Sequence, residues 1–168
     1  MRGSWTVGLF LGMFAAGAAA GPENVQWPAA YKDTYTYYYE GDRLTTEKQS
    51  IRIYANPVAL EGAESDGKLP YGSVLVAELY SVKLDGDGNP IESALGRRVI
   101  DKLAAIAVME RGEGFDAEYG EDLKVGDWEF AVFSPAGERL DKAVTACREC
   151  HHPLTNTEFV WSYDHLTR

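Results

Sequence analysis

The run Ala146–Cys147–Arg148–Glu149–Cys150–His151, close to the C-terminal end of the 168-residue chain, constrains the fold more than any other stretch. Two cysteines separated by two residues and followed at once by histidine form the attachment motif of c-type haem. Each thiol adds across one haem vinyl group to give a thioether, and the short tether holds the histidine beneath the iron as axial ligand. Cys147 and Cys150 are the only cysteines, so both are spent on the motif and none is left for a disulfide. Whatever precedes the motif must therefore enclose a large, apolar macrocycle anchored near the end of the chain.

Other uses of a Cys-x-x-Cys pair fit less well. A thioredoxin-like redox pair follows a strand in an early βαβ unit. A structural zinc site needs four ligands, and a second Cys or His pair at suitable spacing is missing. His151 and His152 are adjacent and cannot easily join both thiols on one ion. His152 and His165 read as solvated or hydrogen-bonded surface residues, with distal ligation as the alternative. Met109, the one methionine beyond residue 20, reads as core or pocket wall, with a sixth-ligand role as the alternative.

The N-terminus predicts the compartment in which such a motif is loaded. Arg2 is followed by the apolar run Trp5 to Phe14 and by an exit rich in alanine up to Ala20. This is the make-up of a secretory signal peptide over residues 1–20. The apolar stretch is short for a membrane span, although an uncleaved anchor is the competing reading. Bacterial c-type haem is attached after export, so leader and motif both predict a periplasmic protein with one domain over residues 21–168. Loss of Arg2 takes the formal net charge from −10 to −11. A chain that acidic repels phosphate backbones and anionic lipid, so neither nucleic acid nor a membrane surface is an expected partner after cleavage.

Between leader and motif, the pattern is mostly that of strands. Trp27–Pro28–Ala29–Ala30–Tyr31 reads as entry into a helical turn or two. Tyr35 to Tyr39 fits a helical face or a strand side equally. Ser50 to Ala55 alternates as a strand and meets a turn signal at Asn56–Pro57. Gly62 to Pro70 reads as a polar loop, Gly72 to Val82 as the best strand, and Asp85 to Pro90 as a solvated turn. Lys102 to Arg111 is strand or helix by periodicity. Gly112 to Asp127 reads as a loop anchored by Phe115 and Tyr119, and Asp127 to Phe133 as a strand. A helix begun at Ser134 or Gly137, with Pro135 in its first turn, then puts Leu140, Val144, Cys147 and His151 on one face. The fold class expected is α+β, mainly antiparallel β-sheet with a C-terminal helix carrying the haem motif.

Several segments resemble the cytochrome P-460 family, which includes the β-sheet cytochromes called cytochrome c′-β. They are Ile53–Tyr54–Ala55–Asn56–Pro57, Tyr71 to Leu79, Gly126 to Phe130, the Cys147–His151 motif, and Glu158–Phe159–Val160–Trp161. The resemblance implies an antiparallel β fold, one covalent haem c with five-coordinate iron on His151, and commonly a homodimer. It also implies one of two functions. Hydroxylamine-oxidising members carry a lysine cross-linked to the haem edge in the strand resembling residues 73–79, and Ala77 stands at that position. Their distal arginine falls near Ile51, with Arg52 pointing to the other side, and their carboxylate falls within Ile106 to Met109, beside Glu110. Cytochrome c′-β members have apolar distal pockets, here matched by Ile51, Ile53, Ala77 and Met109. The sequence thus leans away from an enzyme and toward a protein binding nitric oxide or a similar small diatomic. Hydroxylamine oxidation and electron transfer with a redox partner remain the alternatives.

Overall fold

The computed structural model describes residues 21–167, so the expected signal peptide lies outside the described residues. The architecture is α+β. Five strands, β1 (Thr36–Asp42), β2 (Gln49–Ala55), β3 (Val74–Val82), β4 (Ile100–Arg111) and β5 (Trp128–Phe133), form one antiparallel sheet in sequence order. Three α-helices accompany it: α1 (Tyr31–Thr34), α2 (Pro57–Asp66) and α3 (Thr145–His151), the last carrying the motif. Among the described residues no helix is long and apolar enough to cross a membrane.

Both faces of the central part of the sheet carry buried residues. One face meets α2 and the C-terminal segment through Ala55, Leu75, Met109, Trp128 and Phe130, packed with Ala59, Leu69, Val125 and Val160. The other carries Val76, Ile106, Val108, Ala131 and Phe133 beneath Val25 and Tyr31 from the N-terminal segment. That second face also buries Glu78, which accepts hydrogen bonds from Tyr31 Oη (2.7 Å) and Tyr80 Oη (2.8 Å) and pairs with Lys32 Nζ at 2.9 Å. Burial alone would raise the Glu78 carboxyl; these partners more than offset it and hold it below the usual carboxylate range.

Two segments depart from what local pattern predicts. Pro57–Asp66, read in part as a polar loop, is helix: Asn56 is its N-cap, with Oδ1 accepting from Ala59 N at 3.0 Å, Pro57 sits at its start, and Gly67 ends it in the left-handed region. The Asn56–Pro57 turn signal is therefore a helix start, a cap worth about 1 kcal/mol. The C-terminal helix begins at Thr145 rather than near Ser134. Ser134 instead closes a turn, its Oγ accepting from Ala136 N and Glu138 N, and the chain folds back along β5 through Leu140 N to Val132 O (2.8 Å). Leu140 accordingly lies off the motif helix.

Tyr35 to Tyr39 resolves as strand, with an irregularity between Tyr37 and Tyr39. That bulge lets Tyr38 pack on the α2 side, with its hydroxyl 2.7 Å from Ser162 Oγ, while Tyr37 stacks on Tyr54 across the sheet. Lys102 to Arg111 is likewise strand. The loop between β4 and β5 is anchored by more than Phe115 and Tyr119: Asp116 and Val125 are buried as well.

Candidate haem site

A cavity of about 370 Å³ opens between the α2-side face of the sheet and the segment running from α3 to His165. Its position follows from the strand register. Ile53 pairs with Ala77 and Ala77 with Ala107, while the flanking rows pair Ile51 with Leu79 and Leu75 with Met109. Paired residues project from the same face, so two alanines meet at the centre of a face otherwise made of long aliphatic side chains. The notch they leave is the floor of the cavity. The four residues expected for a distal wall, Ile51, Ile53, Ala77 and Met109, all line it.

The opposite wall comes from α3. Val144 at the helix start, Cys147 and His151 follow at spacings of three and four, which brings them to one side of a helix, and Cys147, Cys150 and His151 all reach the cavity. The His151 ring packs on Phe130 at 5.0 Å between centroids. Its Nδ1 lies 2.6 Å from the Phe159 carbonyl oxygen. A carbonyl only accepts, so Nδ1 carries the proton and Nε2 keeps a lone pair for a metal. Burial pushes the His151 imidazolium pKa down, working in the same direction as the nearby Arg43 charge and against the Phe159 bond, which favours the neutral ring a metal needs. Burial also raises the Cys147 thiol, so it is held protonated rather than as a free thiolate.

The Phe159 carbonyl is itself held in place. Glu158 and Phe159 both have positive φ, 51° and 64°, a conformation that persists only where surroundings enforce it. Arg111 supplies part of that enforcement through an ion pair to Glu158 at 2.7 Å, and Trp128 Nε1 donates to Glu158 O at 3.0 Å. Gly126 lies under the Phe159 ring with φ +67°, where a Cβ would come within 2.6 Å of Cε2. The Gly126–Trp128 and Glu158–Phe159 segments thus meet to aim one carbonyl at the His151 ring.

Arg148, between the two cysteines, is fully buried. Its guanidinium pairs with Asp116 at 2.6 Å and Glu129 at 3.0 Å, donates to Leu123 O and Trp128 O, and lies 3.4 Å over the Tyr119 ring. One side chain thereby ties the motif helix to the β4–β5 loop and to β5. This accounts for the full burial of Glu129, a carboxylate between two aromatic residues in β5.

The cavity is polar at one side only. Asp42, Arg43, Thr45 and His165 gather there, at the end of β1 and the end of the chain. Arg43 donates to Gln49 Oε1 at 2.7 Å. Burial works to raise the Asp42 carboxyl, but Ser50, the Arg98 amide and Arg97 together hold it below the ordinary value. His165, expected on the surface, lines the cavity with its ring 4.7 Å from that of Tyr39, whereas His152 bonds Lys124 O at 2.7 Å. Arg52 bonds Glu40 at 2.6 Å, and Glu110 accepts from the Gln26 amide; neither lines the cavity. Lys83 is exposed beyond β3, and no lysine is among the lining residues.

A family model described as Cytochrome P460 matches residues 28–162. The chain belongs to the cytochrome P460 family. No curated protein sequence matches it. Family membership carries a haem cofactor, and the cytochrome P460 match spans both walls of the cavity, from β1 to Ser162. The residues present fit that group: a histidine with its outer nitrogen committed and its inner one free, two thiols beside it, and an apolar concavity facing them. Sequence reasoning missed Arg43, favoured the surface for His165 with distal ligation as the alternative, and missed Arg148. The first two reach the cavity through tertiary folding alone. Arg148 carried one signal, an arginine inside a motif whose neighbours had to be buried.

Proposed function

We propose that the protein is an exported, periplasmic c-type haem protein that binds nitric oxide or a similar small neutral diatomic, with a role in nitrosative stress. Cys147 and Cys150 would hold one haem c by thioethers, with His151 Nε2 as the proximal ligand. Bound there, haem supplies an iron with one open coordination position. The chain does the rest. The Phe159 carbonyl fixes the His151 ring and its tautomer, and Ile53, Ala77, Ala107 and Met109 offer an approaching ligand no hydrogen-bond donor and no charge.

The observation that carries this reading is the apolar floor with alanine at its centre. A floor without donors suits a neutral diatomic better than an anion or bound dioxygen. Ala77 has no amine for the cross-link of the hydroxylamine-oxidising relatives. Hydroxylamine oxidation also requires proton removal at the site, and Asp42, the only carboxylate on the lining, is a weakened base because its partners hold it ionised. His165 and Met109 on the cavity wall give the electron-transfer alternative its structural support. A homodimer is part of the proposal on family grounds.

Absorption spectra of the ferrous holoprotein test the reading. A high-spin c-type spectrum that shifts with nitric oxide and carbon monoxide is the expected result. A low-spin spectrum indifferent to carbon monoxide would replace this reading with the electron-transfer one, and a strongly red-shifted band would reveal a cross-link and the enzyme. Ala77→Lys probes the register directly: an amine at this position is expected to acquire cross-linked haem, detected as a red shift of the ferrous absorption band. An unmodified spectrum would remove Ala77 from the haem edge.

A further inference from the structure

We infer that the ammonium group created by cleavage between Ala20 and Gly21 is a structural ligand of Glu129, completing a buried charge cluster that fastens the motif helix. The inference rests on residues 1–20 being a cleaved leader and is independent of which ligand the haem takes.

Three observations carry it. The Gly21 nitrogen lies 3.0 Å from Glu129 Oε2 in a buried contact 108 residues distant along the chain. The segment that delivers it is docked, with Val25 fully buried and Arg139 donating to Pro22 O and Val25 O. Finally, the cluster it joins is unbalanced. Arg148 is the one cation paired with two buried carboxylates, Asp116 and Glu129, and among the described residues no ion pair brings either carboxylate a second cation. The remaining partners are neutral: Tyr119 Oη donates to Glu129 Oε2 at 2.9 Å, Phe130 N donates to Oε1, and the amides of Val125 and Asp127 donate to Asp116.

A surplus buried negative charge is expensive unless it is paired. While Gly21 is an amide it contributes one N–H and no charge. Water hydrolyses the Ala20–Gly21 peptide bond, leaving a carboxylate on Ala20 and an ammonium on Gly21. The ammonium has an unperturbed pKa near ~8, so it is charged at neutral pH, and the cluster then holds two positive and two negative groups. Because Glu129 Oε2 also receives Arg148 Nη2, the new terminus acts on the residue between the two haem-bearing cysteines. Processing of the leader and rigidity of the haem helix are thereby coupled.

The test uses the full chain with its own leader, expressed with haem attachment and purified as holoprotein. N-terminal sequencing and intact mass are expected to give a chain starting at Gly21; any other start overturns the inference. An unprocessed chain would also remove the cleaved-leader reading, while leaving the nitric oxide spectrum to judge the ligand reading separately. The α-amine of the folded protein should react with an N-terminus-selective aldehyde at least about tenfold more slowly than after unfolding in urea, and equal rates overturn the proposal. A variant with Gly-Ser inserted between Ala20 and Gly21, its start verified by mass, should raise the unfolding equilibrium constant roughly tenfold or more. In a Glu129→Gln background the same insertion should change it less than about twofold, and an equal effect in both backgrounds also overturns the proposal.

Discussion

Replacing Arg148 by leucine removes the charge that the motif helix sends into the protein and leaves its packing volume nearly filled. The variant loses ion pairs of 2.6 and 3.0 Å and donors to Leu123 O and Trp128 O, and it abandons two carboxylates where water has little access. Breaking a buried pair while leaving its partner costs about 3–5 kcal/mol. For a domain of this size each kcal/mol moves the melting temperature by about 2–4 °C, so a fall of roughly 6–20 °C is expected. Circular dichroism melts of holoprotein, limited to material shown by mass to carry haem in both wild type and variant, give the difference directly. Arg148→Lys keeps the charge but presents a point donor in place of a planar fork, so it should recover only part of the loss. A loss under about 1 kcal/mol for Arg148→Leu would refute the assignment of this cluster as the tie between α3 and β5.

Two further outcomes follow from separate parts of the fold. Glu78→Gln should flatten the acid side of the stability profile: the folded carboxyl sits below its unfolded value of 4.5, so its contribution is present above that pH and is lost as pH falls through the lower folded value. Urea denaturation at pH 7 and at successively lower pH checks this, and parallel profiles for wild type and variant would contradict it. Gly126→Ala should cost about 2–4 kcal/mol, because alanine must adopt φ +67° and its Cβ would press on the Phe159 ring; a melt within a degree of wild type would count against the tight fit of the two loops.

Much of the architecture was legible because single segments carried enough signal. β2 and β3 alternate or concentrate branched residues over their whole length, and the haem motif is readable from its spacing alone. What was not legible depended on partners distant in the chain. Asn56–Pro57 serves equally as a turn or as a helix start, and the choice is made by Ala59 and Ala63 finding the sheet. Pro135 permits a helix start, but Ser134 and Gly137, with φ +87°, close a turn there first. Glu129 meets its buried cationic partner only when Arg148 arrives from nineteen residues later. His165 and Arg43 reach the cavity only because the chain end crosses the end of β1.

The strand order carries a kinetic consequence. Every pairing in the sheet joins chain neighbours, β1 with β2 and so on to β5, so the sheet can zip up through short loop closures that cost little entropy. The motif helix and the Phe159 carbonyl belong to a tail that adds no strand and docks on the finished sheet. The sheet wall of the cavity can therefore form before the tail that carries Cys147, Cys150 and His151 docks on it. Under the proposed haem attachment, Cys147 and Cys150 would stay reachable until that tail docks, and attachment would then lock a tail whose berth is already formed.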